Sequence, residues 1–124
     1  MRVTLWMLDH SLRGLIEPIL TENGYDVGLV DDQSSNVEED EALRGLQLLI
    51  IEMDVIVNQA DNIVPLLERL RDSNNCKMLI LSRREYYPMI KNNELKVTQF
   101  VDHIINLPLD KYELLGNVER YLQT

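Results

Sequence analysis

Residues 46–51 read Leu-Gln-Leu-Leu-Ile-Ile, the strongest apolar run in the chain, with Gly45 before it and Glu52 after it. A strand with one wet face alternates apolar and polar residues, whereas an unbroken apolar run suits a strand covered on both faces. Such a strand needs packing layers on both sides of its sheet, and helices flanking a parallel sheet supply them.

The rest of the chain alternates in the same sense. Val3 to Leu8 is a short apolar run that stops at Asp9 and His10. Leu12, Leu15, Ile16, Ile19 and Leu20 then mark one helix face, with Pro18 predicting a kink or early end and Asn23-Gly24 a stop. Tyr25 to Val30 reads as a second strand, 31–36 as a polar turn, and 37–44 as a short acidic helix capped by Ser35 or Asn36 and ended by Gly45. Residues 53–61 read as a loop, with Asp61 capping a helix over 62–73 that has Pro65 in its first turn. A fourth strand is predicted over 77–81, a weak helix with Pro88 over 85–92 and a fifth strand over 99–105. The closing helix, 109–122, presents Leu109, Tyr112, Leu115, Val118 and Tyr121 or Leu122 as its apolar face, weakened at Gly116. Right-handed crossovers between such units predict a three-layer α/β sandwich around a parallel sheet of order 2-1-3-4-5. No repeat or linker divides the chain, so 1–124 reads as a single domain.

Its 124 residues, 45% of them hydrophobic, suffice for one core, in which Trp6 and Met7 are expected. A formal net charge of −9 repels phosphate backbones and anionic lipid, which argues against a nucleic-acid or membrane binder. The lone cysteine, Cys76, cannot close an internal disulfide and reads as an inert thiol. The apolar start is too short to span a membrane, so cytoplasmic residence is expected.

In an open parallel sheet, ligands meet the carboxyl ends of the strands. Those ends carry Asp9-His10, Glu52-Met53-Asp54, Leu81-Ser82-Arg83 and Asn106-Leu107-Pro108. In the order of these ends, and over its whole span, the chain resembles the receiver domain of two-component response regulators, a flavodoxin-like (βα)5 fold. That family places an acidic pair after strand one, a phospho-accepting Asp after strand three, Ser or Thr after strand four and Lys-Pro after strand five. Ser82 and Pro108 keep the pattern. His10 replaces one carboxylate, Glu52 stands at the acceptor position, Leu107 replaces the Lys, and Ile104 falls where an aromatic switch residue is expected.

Phosphoryl transfer is mostly positioning and stabilisation of developing charge, and Mg²⁺ demands clustered oxygen ligands. The resemblance therefore implies a degenerate pocket of Asp9, His10, Glu52, Asp54, Ser82 and Leu107, with no catalytic residue, no cofactor and no Mg²⁺; Asp9 and Glu52 are the weak metal candidates. Glu52 reads as a solvated strand-end carboxylate or as a mimic of a phosphorylated Asp. Asp54 is the rival acceptor if the register slips by two. A transition metal on Asp9, His10 and Glu52 is weighed against a plain surface cluster. A cofactor-binding flavodoxin-like reading finds a single glycine, Gly14, where a phosphate loop would lie.

The expected function is that of a pseudo-receiver: a non-enzymatic interaction domain regulating an output domain or partner, with a transcription regulator as one setting. The chain is expected to be the N-terminal domain of a larger regulator or a stand-alone protein. The alternative is a receiver that accepts a phosphoryl group at Glu52 or Asp54. Arg83 to Tyr87 reads as a contact patch or a solvated loop. The resemblance points to the face of the fourth helix, fifth strand and fifth helix, with Tyr86, Tyr87, Met89, Lys111 and Arg120, as a site for a partner or a second copy.

Overall fold

The computed structural model describes residues 2–30, 45–58, 60–92 and 101–122. The turn and acidic helix expected over 31–44 lie outside the described residues, as do positions 99 and 100 of the fifth strand. Strands β1 (Arg2–Trp6), β2 (Asp26–Leu29), β3 (Leu48–Glu52), β4 (Lys77–Ser82) and β5 (His103–Asn106) form one sheet in the order β2-β1-β3-β4-β5. All four pairings are parallel, as expected from the sequence. The helices are α1 (His10–Glu22), α2 (Met53–Asn58), α3 (Ala60–Asn74), α4 (Tyr87–Lys91) and α5 (Lys111–Leu122), with a 3-10 turn at Arg84–Tyr86 before α4.

The side-chain period of two in β3 explains its unbroken apolar run. Leu49 and Ile51 face one core layer with Trp6, Ile56, Ile63 and Leu67, while Leu48 and Ile50 face the other with Ile16, Leu20, Leu114 and Val118. One layer thus lies under α2 and α3, and the other under α1 and α5.

Four local expectations are corrected. Residues 53–58 are helical, not a loop, because Met53 and Ile56, three apart, bury one face of α2 together with Val55. Asp61 stands inside α3, which begins at Ala60, so Pro65 is its sixth residue and beyond the first turn. Helix α1 continues through Pro18 to Glu22, so the early end expected there does not occur. In both helices burial of an apolar stripe outweighs the missing backbone hydrogen bond: Ile16 and Leu20 in α1, and Ile63, Leu66, Leu67 and Leu70 in α3. In α5 the buried stripe is Leu114, Val118 and Leu122, four apart, which turns Tyr112 outward to 82% exposure.

Asn23-Gly24 ends α1 as expected, with Gly24 at φ 86° donating its N–H to the Thr21 carbonyl. Cys76 is 2% exposed, and burial pushes its thiol up to about 12. The native thiol therefore stays protonated while the unfolded one ionises, so stability from this group is full below about pH 9 and lost as pH rises towards 12. A disulfide reagent at pH 8 is expected to label native protein at least tenfold more slowly than urea-unfolded protein, roughly in proportion to thiolate fraction and access. Equal rates, read by absorbance, would show an open thiol.

Candidate functional site

The carboxyl ends of β1, β3 and β4 bring three carboxylates, one guanidinium and one phenol together. Asp9 follows β1 and caps α1, its Oδ1 accepting the Leu12 N–H at 3.1 Å. Glu52 is the last residue of β3 and only 1% exposed. Its Oε1 accepts the Asp9 N–H at 2.7 Å. The carboxylate is thus folded back onto the β1–α1 connection. Burial holds its pKa above the ordinary carboxylate range, nearby Asp54 and Asp9 add to that, and the backbone N–H groups of Asp9 and Leu8 oppose it.

Asp54 lies in the first turn of α2 and is largely covered, its side chain 17% exposed. Its Oδ2 meets Arg83 Nε at 3.1 Å, and its Oδ1 accepts the hydroxyl of Tyr86. Arg83 also places Nη2 3.5 Å from Asp9 Oδ2, so one guanidinium spans both aspartates. The Tyr86 phenol is pushed up to about 12, first by its bond to Asp54 and then by burial.

The other expected pocket residues take different places. Ser82 is buried, its hydroxyl donating to the Arg83 carbonyl at 3.1 Å. Leu107 donates its N–H to the Ser82 carbonyl and packs its side chain against the layer under α1 and α5; its peptide bond to Pro108 is cis. His10 is exposed at the start of α1, where Arg13 Nη2 donates to its Nδ1 at 2.9 Å. Asp9, Glu52 and Asp54 therefore converge, whereas His10 and Leu107 turn elsewhere.

Three sequence readings change as a result. Glu52 is not solvated, because its carboxylate finds a backbone donor inside the fold. Tyr86 does not stand on the outer face of α4: it packs against the layer under α2 and α3 and points its hydroxyl into the pocket. Arg83, at the surface, reaches into the pocket. Its position immediately after Ser82, at the carboxyl end of β4, is the signal that would have found it. Of the remaining face residues, Met89 is half-buried, and Lys111 and Arg120 are exposed. Arg120 lies 5.4 Å from the Tyr121 ring centre. Tyr87 helps to line an open groove of about 600 Å³ with Pro88, Ile90, Lys91, Ile104 and Asn106.

Mg²⁺ is a hard cation that takes oxygen ligands in near-octahedral geometry. Here Asp9 and Asp54 face a guanidinium, and Glu52 serves a backbone N–H. Among the described residues no three His, Cys, Asp or Glu side chains are grouped to hold a metal ion.

No protein-family model and no curated protein matches the chain. Solved structures do. CheY4, a chemotaxis protein from Vibrio cholerae, is 21% identical with a TM-score of 0.70, covering 98% of each chain. A response regulator receiver modulated diguanylate cyclase from Pelobacter carbinolicus is 18% identical with a TM-score of 0.73, covering 98% of this chain and 92% of that one. NtrX from Brucella abortus, crystallised with ADP, is 15% identical with a TM-score of 0.72; the match covers 98% of this chain and 26% of NtrX. The fold is therefore that of response-regulator receiver domains.

Proposed function

We propose that this chain is a receiver-like signalling domain that has exchanged phosphoryl chemistry for an internally neutralised pocket. It acts through protein contacts with an output domain or partner, as in the setting of a transcription regulator, and not as an enzyme. The observation that carries this reading is Arg83 spanning Asp9 and Asp54 while Tyr86 takes the second oxygen of Asp54. A cation supplied by the protein stands where a phosphoryl-transfer site would need a metal, and neutral Leu107 supplies no counter-charge for a phosphoryl group. The proposed domain needs neither Mg²⁺ nor another cofactor and resides in the cytoplasm. Among the described residues no helix is long and apolar enough to cross a membrane. The net charge of −9 disfavours nucleic acid. The face with Tyr87, Met89, Lys111 and Arg120 is the proposed route to a partner or second copy, since it offers aromatic area beside charge.

Incubation with acetyl phosphate and Mg²⁺ is expected to give no adduct by intact mass and no change in sedimentation. An adduct lost in Asp54→Asn or Glu52→Gln would overturn the reading. Asp54 is the better acceptor in that case, because Glu52 is the more deeply enclosed of the two.

A further inference from the structure

The segment after β4 has little to hold it locally. The 3-10 turn Arg84–Tyr86 and the five-residue helix α4 both lack a side-chain cap. A helix this short is not stable by itself, so tertiary contacts must fix its position. Two of those contacts end on one carboxylate: the Tyr86 hydroxyl donates to Asp54 Oδ1, and Arg83 Nε lies 3.1 Å from Oδ2. Arg83 is close to half exposed, so its ion pair alone is a weak tether. The phenol–carboxylate bond is charge-assisted and stronger. The raised titration of Tyr86 accords with it. Tyr86 is followed directly by Tyr87, which lines the groove with Ile90, Ile104 and Asn106.

We propose that Asp54 is a latch: by engaging Arg83 and Tyr86 together it pins the β4–α4 segment to the pocket and so fixes one wall of the α4–β5 groove. Withdrawing that one side chain frees both tethers at once. A change in the pocket thereby reaches a surface built by the adjoining residue. This inference goes beyond the interaction-domain reading, and the two fail separately. A phosphoryl adduct would remove that reading and leave the latch, whereas the measurement below tests the latch alone.

The test is hydrogen exchange, read by mass spectrometry, on the whole chain and on Asp54→Ala, Tyr86→Phe and the double variant. Asp54→Ala removes both acceptor oxygens and is expected to speed exchange over 84–92 by about tenfold, the protection expected of one charge-assisted hydrogen bond, with β1 and β3 unchanged. Adding Tyr86→Phe to Asp54→Ala should speed it no further. Unchanged exchange over 84–92, additive effects in the double variant, or equal acceleration across the whole sheet would each overturn the latch. Tyr86→Phe deletes a single hydroxyl and is expected to speed exchange over 84–92 by itself, so it keeps the test decisive if Asp54→Ala does not fold.

Discussion

Trp6→Ala is expected to cost about 3–5 kcal/mol, the usual penalty for emptying a buried aromatic site. Trp6 is 1% exposed at the end of β1, in the layer shared by Leu49, Ile51, Met53, Ile56 and Leu67. Those neighbours sit on β3, α2 and α3, three elements that cannot all close on the void without breaking their own register. A domain of this size has a total stability of roughly 5–15 kcal/mol, so one such change removes a large share of it. Urea unfolding followed by circular dichroism should show a much lower midpoint at unchanged slope. Tyr112→Ala, at 82% exposure, should stay within about 0.5 kcal/mol of the parent. Comparable midpoints for the two variants would refute this placement of the core.

The second large effect separates two substitutions at one position. Glu52→Ala removes the acceptor of the Asp9 N–H and leaves a void at the end of β3, at a cost of about 1–3 kcal/mol for the orphaned donor alone. Glu52→Gln keeps an acceptor oxygen and the shape, and it discards a charge the site disfavours. The sign follows from the raised native pKa. The native state holds the Glu52 proton more tightly than the unfolded state, so the stability from this group is full below the ordinary carboxylate range. It is lost as pH rises through the higher native value. Glu52→Gln should therefore melt above the parent at pH 7, and the gap should close as pH falls to about 4, the ordinary Glu range. A parent more stable than Glu52→Gln at pH 7 would mean that the carboxylate is held charged by its hydrogen bonds.

The sheet was legible from residues 46–51 and their neighbours because burial on both faces leaves a pattern that a half-wet strand cannot imitate. Helix α2 was not, because it follows Glu52 with no turn between, and Asp61 with Pro65 imitates a helix start further on. The face of α5 was ambiguous because Leu114 and Leu115 are consecutive; stripes through either fit a helical period, and only packing chose Leu114. In the pocket, the strand ends predicted that Asp9, Glu52 and Asp54 gather but not where each points, nor that His10 and Leu107 turn away while Arg83 and Tyr86 join them. The extra methylene of Glu52 lets it curl back to a backbone N–H, and the length of Arg83 lets it reach two aspartates across the mouth. Neither reach is encoded in spacing along the chain.

The sheet order also bears on how copies of this molecule can meet. Its two outer strands, β2 and β5, are only four residues each, and β2 opens with a charged Asp26. Short, charged edges offer few unpaired backbone groups and make poor templates for strand addition. Association through a continuous intermolecular sheet is thus disfavoured for the described strands, which accords with the proposal that a partner or second copy meets a helical face.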